Sequence, residues 1–304
     1  MREILFLSGK GGTGKTSLAA AFAVLSSRKV LADCDVDAAN LHLALRAAVR
    51  EEEEFRGSKE AIRDEALCVG CGRCREVCRF SAIGETLEID PFLCEGCGAC
   101  VTACPAGALR LVSRVSGHWL LADTPHGPLS TAELVPGEET SGRLVALVKE
   151  KARNLAMQER VETLLMDGSP GIGCPVIASV SGAHAVVLVT EPSVSGLHDL
   201  DRALGVVRHF GVSAALVVNK ADLNAEWTDR ILRFASEHEL PVLGTIPYDP
   251  EVPRRLIEGR SVVEEEVTPA GEAMKRVFGR CVELWGDVLH PAPMQPERDE
   301  RRGR

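Results

Sequence analysis

The octapeptide GKGGTGKT, residues 9–16, is the feature that most restricts how this chain can fold. It fits the pattern G-x-x-x-x-G-K-[ST] and lies between an apolar run at 3–7, which predicts a strand, and a helical pattern at 16–27. Glycines allow backbone N–H groups to curl around phosphate oxygens, while Lys15 reaches the terminal phosphates and Thr16 offers a hydroxyl to Mg²⁺. The motif therefore predicts a strand, a phosphate-binding loop and a helix in succession.

Further apolar runs alternate with helical patterns along the chain. Because these runs are continuous, they predict strands that are buried on both faces of a parallel sheet. The predicted strands cover 3–7, 29–33, 163–167, 185–190, 214–219 and 241–246, and the predicted helices cover 16–27, 143–159, 196–210, 225–237 and 269–286. This order predicts an α/β fold with a doubly wound, mostly parallel sheet.

Length and charge restrict the protein class. With 304 residues, 45% of them hydrophobic, the chain can bury one large core and one small satellite core. Its net charge of -9 argues against nucleic acid as a partner. No apolar run approaches the roughly 20 residues that span a bilayer, and the N-terminus does not resemble a signal peptide. We therefore expect a cytoplasmic protein that does not bind membranes, whose clustered thiols stay reduced and bind metal.

Eight of the 11 cysteines form a repeat between residues 67 and 107. The first four recur 26 residues later: Cys68, Cys71, Cys74 and Cys78, then Cys94, Cys97, Cys100 and Cys104. The second half matches the bacterial ferredoxin run, including Pro105, whereas Arg79 replaces the proline in the first half. In that run the fourth cysteine ligates the other cluster.

The repeat therefore predicts two 4Fe-4S clusters. The first would be held by Cys68, Cys71, Cys74 and Cys104, and the second by Cys94, Cys97, Cys100 and Cys78. Structural zinc sites also use closely spaced cysteine pairs, but three close thiolates with a displaced fourth, twice over, favour the clusters. Such clusters can carry electrons or be structural, and both roles stay open.

The cysteine repeat interrupts the α/β pattern. We predict a ferredoxin-like domain at 56–114, inserted into a discontinuous P-loop domain at 1–55 and 115–290. The run of glutamates at 51–54 is interpreted as a solvated helix end near the start of the insertion. The Pro-rich, charged segment at 291–304 predicts a flexible tail.

A second lysine, Lys10, directly follows the first glycine of the phosphate loop. With it, KGGTGKTS resembles the deviant Walker A loop of the MinD, ParA, Mrp and nitrogenase iron protein superfamily. GIGCPVIAS, TEPSVSGLHDL and NKADLN fit the same superfamily, so that the resemblance covers roughly residues 1–290. It implies an ATPase that forms a nucleotide-dependent homodimer, or a heterodimer with a paralogue, in which Lys10 contacts nucleotide across the interface.

The resemblance also implies roles for two acidic segments. LADCDVDAANLHL resembles the first switch, in which Asp35, rather than the neighbouring Asp33 or Asp37, positions the attacking water and follows Mg²⁺. Asp167 and the Gly-rich loop after it resemble the second switch, which senses the terminal phosphate through Mg²⁺-bound water. Lys10, Lys15 and Asp35 would then be catalytic, and Thr16, Asp35 and Asp167 would attend Mg²⁺.

The nucleotide would be held by the loop and by a later motif. The loop residues are Gly9, Lys10, Gly11, Gly12, Thr13, Gly14, Lys15, Thr16 and Ser17. Asn219, Lys220 and Asp222 are predicted to close the base pocket. Their spacing is also that of the guanine-specificity motif, but a similar Asn supports adenine binding in this superfamily, which favours ATP over GTP.

Three cysteines lie outside the repeat: Cys34, Cys174 and Cys281. We expect all three to pack in the core. Nitrogenase iron proteins place a ligand for a dimer-bridging cluster near the position of Cys174, but they need a second cysteine per subunit, and residues 105–173 contain none.

Three functions remain open. The first is an ATPase whose nucleotide state gates electron transfer, or docking of a redox partner, through the two clusters. The second is a MinD- or ParA-like regulatory or positioning ATPase with a protein partner, in which the clusters are structural or redox-sensing. An iron-sulfur carrier like the Mrp proteins is the least favoured, because those proteins use a Cys-x-x-Cys pair near the C-terminus and only Cys281 lies there.

Overall fold

The computed structural model describes residues 1–138, 142–264 and 267–286, so that the predicted tail at 291–304 lies outside the described residues. The strands are β1 Arg2–Leu7, β2 Val30–Asp33, β3 Ala48–Phe55, β4 Ser58–Arg63, β5 Leu109–Arg114, β6 Gly117–Thr124, β7 Gly127–Leu134, β8 Thr163–Asp167, β9 Ala185–Thr190, β10 Ser213–Asn219 and β11 Val242–Ile246. The helices are α1 Lys15–Leu25, α2 Leu41–Ala44, α3 Arg73–Val77, α4 Ala99–Ala103, α5 Gly142–Gln158, α6 Cys174–Val180, α7 Val194–His209, α8 Ala225–Glu237, α9 Glu251–Ile257 and α10 Pro269–Leu284.

Nine strands form one sheet in the order β11-β10-β9-β1-β8-β2-β7-β6-β3. The pairs from β11 to β7 are parallel, and the pairs β7-β6 and β6-β3 are antiparallel. All six predicted strands and all five predicted helices are present, with ends shifted by a few residues at most. The prediction of an α/β fold with a mostly parallel sheet is confirmed.

The sheet separates two apolar cores, because successive side chains of a strand point to opposite faces. In β1, Leu5 and Leu7 belong to one core, while Ile4 and Phe6 belong to the other. Buried residues of α5, α6, α7 and α8 complete the first core, and those of α1, α2 and α10 complete the second. None of the helices in the described ranges has the length and apolar character required to cross a bilayer.

The interpretation of the glutamate run at 51–54 as a helix end is wrong. These residues lie in β3, an exposed antiparallel strand at the edge of the sheet, opposite residues 118–121 of β6. Glu53 pairs with Lys151 of α5 at 2.6 Å, and Glu52 pairs with His118 at 2.8 Å. Charged side chains on an edge strand hinder pairing with a second chain, which gives these glutamates a physical reason to be there.

The cysteine repeat lies between the two strands of a separate antiparallel sheet, β4 and β5. A small core of Ala61, Ile83 and Leu109 with Cys74 and Cys100 holds this segment together. Its two ends contact each other, because Gly57 N–H donates to Ser116 Oγ at 2.7 Å. The boundaries of the inserted domain at 56 and 114 stay a prediction.

Replacing Phe22 with alanine is expected to lower the free energy of unfolding by about 3–5 kcal/mol. Phe22 is fully buried and makes edge-on ring contacts with Phe6 and Phe278, at centroid distances of 4.9 and 5.1 Å. Urea denaturation followed by circular dichroism measures the change. Met157→Ala is the control, because this side chain is 64% exposed and its loss should change the free energy by less than about 0.5 kcal/mol. Equal effects of the two substitutions would contradict the packing described for α1.

Candidate functional site

The phosphate-loop motif connects β1 to α1 at the carboxyl end of the parallel sheet. It borders a cavity of about 1060 Å³. The lining includes residues 11–17, Asp35 and Asp37 from the segment after β2, Ser169 and Pro170 after β8, and residues of α2 and α9. Gly12 and Gly14 have φ values of 79° and 91°, which favour glycine. The loop therefore exposes backbone groups to a cavity large enough for a nucleotide.

Four predicted residues, Lys15, Thr16, Asp35 and Asp167, meet at this cavity. Lys15 Nζ donates to Asp167 Oδ1 at 2.8 Å and lies 3.4 Å from Asp35 Oδ2. Thr16 Oγ1 donates to Asp167 Oδ2 at 2.5 Å. Burial lowers the pKa of Lys15, but the charges of Asp167 and Asp35 outweigh it and the pKa is raised. A phosphate group that binds Lys15 must therefore replace one or both carboxylates.

The three aspartates after β2 have different surroundings. Asp33 is fully buried and accepts backbone N–H groups of Asp35, Asn40 and Leu41 at 3.0–3.1 Å. Burial and the negative charge of Asp167 raise the pKa of Asp33 to about 8. Asp33 thus fixes the backbone of the segment, whereas Asp35 faces Lys15 and Asp37 lies at the cavity edge.

The side chain of Asn219 supports the backbone of the phosphate loop. Its Nδ2 donates to the Thr13 carbonyl at 2.8 Å, and a Cβ on Gly14 would lie only 2.1 Å from that nitrogen. Asp222 accepts the backbone N–H of Tyr248 at 2.6 Å. The apolar part of the cavity wall comes from α2 and α9, through Leu43, Ala44, Pro253, Leu256 and Ile257. The roles predicted for Asn219, Lys220 and Asp222 at the base stay predictions.

Glu191 is a site residue that sequence reasoning missed. It follows β9 and pairs with Lys10 at 2.7 Å and with Lys220 at 3.1 Å. Burial raises the pKa of Glu191, but the hydrogen bonds from the two lysines outweigh it and the pKa is lowered. Lys10 Nζ also donates to Ser195 Oγ at 2.8 Å and to Ser193 Oγ at 3.2 Å. In this single chain Lys10 is therefore held by Glu191 and by the start of α7. The acidic residue in TEPSVSG is the sequence feature that could have indicated this contact.

The eight repeat cysteines line two small, mainly apolar cavities. One is lined by Cys68, Cys71, Cys74 and Cys104, and the other by Cys78, Cys94, Cys97 and Cys100. Each cavity thus combines three cysteines of one half with the fourth cysteine of the other half. Throughout the described ranges, no group of three or more His, Cys, Asp or Glu side chains is arranged to hold a metal ion.

The two halves of the repeat have matching backbones. Gly70 and Gly72 have φ values of 68° and 73°, and their counterparts Gly96 and Gly98 have 60° and 78°. The helices α3 and α4 follow, and each is capped by the fourth cysteine of its half with φ of -78°. Two sulfurs accept backbone N–H groups: Cys94 from Ala61 at 3.4 Å and Cys104 from Ala108 at 3.3 Å. Such donors stabilise thiolates, and those at Cys104 lower its pKa.

Two of the three other cysteines behave as expected. Cys34 and Cys281 are fully buried, and burial raises the pKa of each thiol to about 12. Cys174 is exposed at the first residue of α6, so the packing role expected for it is wrong. Its surroundings are those of a surface thiol at the end of the loop after β8.

Asn219→Ala is expected to weaken binding of ATP and GTP equally, by about 5- to 150-fold, because the loop carbonyl of Thr13 loses a buried hydrogen bond worth about 1–3 kcal/mol. Isothermal titration calorimetry measures both affinities. Asn224→Ala removes a helix-capping amide of α8 and should leave both affinities unchanged. A loss confined to one nucleotide would contradict the loop role and support a base contact.

Comparison with known proteins identifies the family and the fold. Residues 4–262 match the CobQ/CobB/MinD/ParA nucleotide binding domain family. The uncharacterized protein MJ0578 of Methanocaldococcus jannaschii is 32% identical over 287 residues, which cover 93% of this chain and 97% of the relative. The septum site-determining protein MinD of Bacillus subtilis is 23% identical over 99% of this chain and 94% of the relative.

Solved structures share the fold. The MinD protein of Pyrococcus horikoshii, in complex with Mg-ADP, superposes with a TM-score of 0.58 at 17% identity, covering 94% of this chain and 98% of that one. The MinC:MinD cell division complex of Aquifex aeolicus gives a TM-score of 0.55 at 20% identity, covering 97% and 98%. With the loop, the two aspartates and the sheet order in place, the chain belongs to the MinD/ParA family of P-loop ATPases.

Proposed function

We propose that this ATPase couples nucleotide-dependent dimerisation to electron transfer, or to docking of a redox partner, through two 4Fe-4S clusters. The observation that carries the proposal is the pair of cavities, each lined by four cysteines drawn three from one half of the repeat and one from the other. This crossed arrangement is the ligand pattern of the bacterial ferredoxin run.

The cysteine cavities suit clusters better than zinc. A zinc ion needs four ligands that converge on one point, whereas a four-iron cluster is a larger body with a thiolate at each iron. Here four cysteines line each cavity, three from one half of the repeat and one from the other. When bound, the clusters supply reversible one-electron chemistry. The chain supplies the thiolates, the N–H donors to Cys94 and Cys104, and an apolar enclosure.

Binding of nucleotide exchanges the ion-pair partners of the two loop lysines, Lys10 and Lys15. Lys15 leaves Asp167 and Asp35 when it binds the terminal phosphates of ATP, which frees both carboxylates. Thr16, Asp35 and Asp167 would hold Mg²⁺ directly or through water, and the ion neutralises phosphate charge when bound. Asp35 then orients the attacking water, and Lys10 leaves Glu191 to contact the nucleotide of the second subunit. The movements of Lys15 and Lys10 thus break ion pairs that the single chain now holds.

A continuous set of contacts links the two kinds of site. Asp167 leads through the loop at 168–173 into α6, whose carboxyl end is held by Lys149 of α5. Lys149 Nζ donates to the carbonyls of residues 178, 179 and 181 at 3.1, 2.7 and 2.7 Å. In the first turn of α5, Arg143 donates to the Gly57 carbonyl at 3.2 Å, next to the cysteine segment. A shift of α6 with nucleotide state can therefore reach the clusters through α5.

A second candidate function is a MinD-like regulatory or positioning ATPase whose clusters are structural or redox-sensing. The observation that favours it is the similarity to MinD proteins over nearly the whole chain. This candidate has a protein partner and no electron acceptor. The two functions therefore differ in whether the clusters respond to nucleotide.

Anaerobic reconstitution is expected to give about eight iron atoms per chain, and Cys94→Ser should reduce this to about four by disabling one cluster. Iron and zinc contents are measured by elemental analysis, and cluster type by electron paramagnetic resonance after reduction. Cys281→Ala is the matched control, since this buried thiol lies in α10. Stoichiometric zinc in place of iron would overturn the cluster assignment.

Lys10→Ala is expected to reduce ATP hydrolysis by about a thousandfold, the lower end of the range for a cation supplied across an interface, and to prevent nucleotide-dependent dimerisation. Turnover assays and light scattering with and without ATP measure the two effects. Lys275→Ala removes a half-exposed lysine of α10 paired with Glu272 and should change neither. Normal hydrolysis and dimerisation by the Lys10 variant would refute the shared-nucleotide arrangement.

Addition of ATP to the reconstituted dimer is expected to change the reduction potential or the spectrum of the clusters. Potentiometric titration followed by electron paramagnetic resonance measures the change, with Lys15→Ala as the variant that cannot respond. Complete indifference of the wild-type clusters to ATP would reject gating and favour the second candidate.

A further inference from the structure

We propose that the exposed face of α3, with Arg73, Arg75 and the adjoining Arg79, is a docking surface for a small acidic electron-carrier protein. The proposal rests on the iron-sulfur function proposed above and names the kind of partner that the clusters serve. We call these three side chains the arginine face, together with Glu76 and Val77 between them and Phe80 after them; three arginines and one glutamate give it a net charge of +2.

The repeat itself shows that the cluster scaffold does not need these arginines. The positions 26 residues later hold Ala99, Val101 and Pro105, yet the backbone there has the same conformation. Each half lines one cavity in the same way. Three cations present in one half and absent from the other must therefore act outside the common scaffold.

The two helices also differ in their surroundings. The helix α4 packs against β5, with Gly98 close to Leu111 and Val101 partly buried. In α3, by contrast, Cys74 is buried while Arg73, Arg75, Glu76 and Val77 are all exposed to solvent. The repeat thus places its second half against the small sheet and its first half outward, where another protein can reach it.

The arginines are not engaged by the rest of the molecule. Over residues 1–138, 142–264 and 267–286, the Arg73 and Arg79 side chains form no hydrogen bond or ion pair. Arg75 pairs with Glu85 at 3.3 Å, but both side chains are half exposed or more, and such pairs contribute about 0–1 kcal/mol. These guanidinium groups are available to a partner with little loss of internal stability.

The composition of the face resembles that of a protein interface. Val77 is 38% and Phe80 45% exposed, and the arginines flank them. Arginine and aromatic residues are the types enriched at interfaces, with apolar residues at the centre and charges at the rim. The rest of the chain is acidic overall, with a net charge of -9 and the exposed glutamates of β3. The net positive charge of the arginine face therefore attracts an acidic partner more than the acidic remainder of the chain does.

The position of the face selects an electron carrier among acidic proteins. The helix α3 contains Cys74, a predicted ligand of the first cluster, and ends at Cys78, a predicted ligand of the second. A protein docked on α3 lies directly over ligands of both clusters. Electron transfer falls steeply with distance, so a carrier on this face would be placed to exchange electrons with either cluster.

The test uses the reconstituted full-length chain and an acidic flavodoxin as the probe, titrated anaerobically by calorimetry at several salt concentrations. We expect binding that weakens as salt rises. The triple variant R73E/R75E/R79E should weaken it by about tenfold or more, and R73K/R75K/R79K should retain it within about threefold, because rim charges act mainly through their sign. The control R202E/R233E/R276E, with the same change in net charge on α7, α8 and α10, should bind flavodoxin like the wild type.

Several outcomes would overturn the docking surface. They are no flavodoxin binding by the wild type, equal weakening by the arginine-face and control variants, and binding of a DNA or RNA oligonucleotide at the arginine face in preference to flavodoxin. Measurements of iron content and of cluster reduction by dithionite distinguish a failure of the docking surface from a failure of the function on which it rests. If the R73E/R75E/R79E chain holds its clusters and dithionite reduces them while flavodoxin binding is unchanged, only the docking surface fails. If the wild type holds no clusters, the proposed function itself fails.

Discussion

The position of β8 between β1 and β2 determines the nucleotide site. The register aligns Asp167 with Phe6 of β1 on one side and with Asp33 of β2 on the other. Because parallel strands end at the same edge, this pairing brings the phosphate loop, the aspartates after β2 and the loop after β8 to one place. Lys15 and Asp167 are 152 residues apart in the chain, yet their ion pair is buried. The cavity, the segments after β2 and β8, and the start of α6 all take their positions from these three strands.

The same three strands explain which parts of the fold could be predicted. A strand buried on both faces is continuously apolar, so β1, β8, β9 and β10 are readable from the sequence alone. The strand β3 is exposed along most of its length and carries four glutamates, whose composition resembles a solvated helix end. Only its pairing with β6 makes it a strand. Such pairing joins segments more than 60 residues apart, and no local sequence pattern predicts it.

The site, like the fold, has some residues that the sequence predicts and others that it does not. The motif predicts Lys15 and Thr16 because the chemistry of phosphate requires them at fixed spacing, and the cysteine run predicts both ligand sets for a similar reason. Glu191 belongs to no motif, since its role depends on the approach of Lys10 and Lys220 from other loops. The exposure of Cys174 and the different surroundings of α3 and α4 depend on tertiary packing, which a symmetric repeat does not encode.

The attachment of the cysteine segment has a consequence for how such a chain can arise. Phe55, the last residue of β3, pairs directly with Gly117, the first residue of β6, and Ser116 N–H donates to the Phe55 carbonyl at 2.8 Å. The strands β3 and β6 therefore pair as a β-hairpin, and the cysteine segment occupies the position of the hairpin turn. Adding or deleting the segment leaves every strand pair of the large sheet intact. An ATPase of this fold can acquire a cysteine-rich segment by lengthening one turn, with no rearrangement of its core.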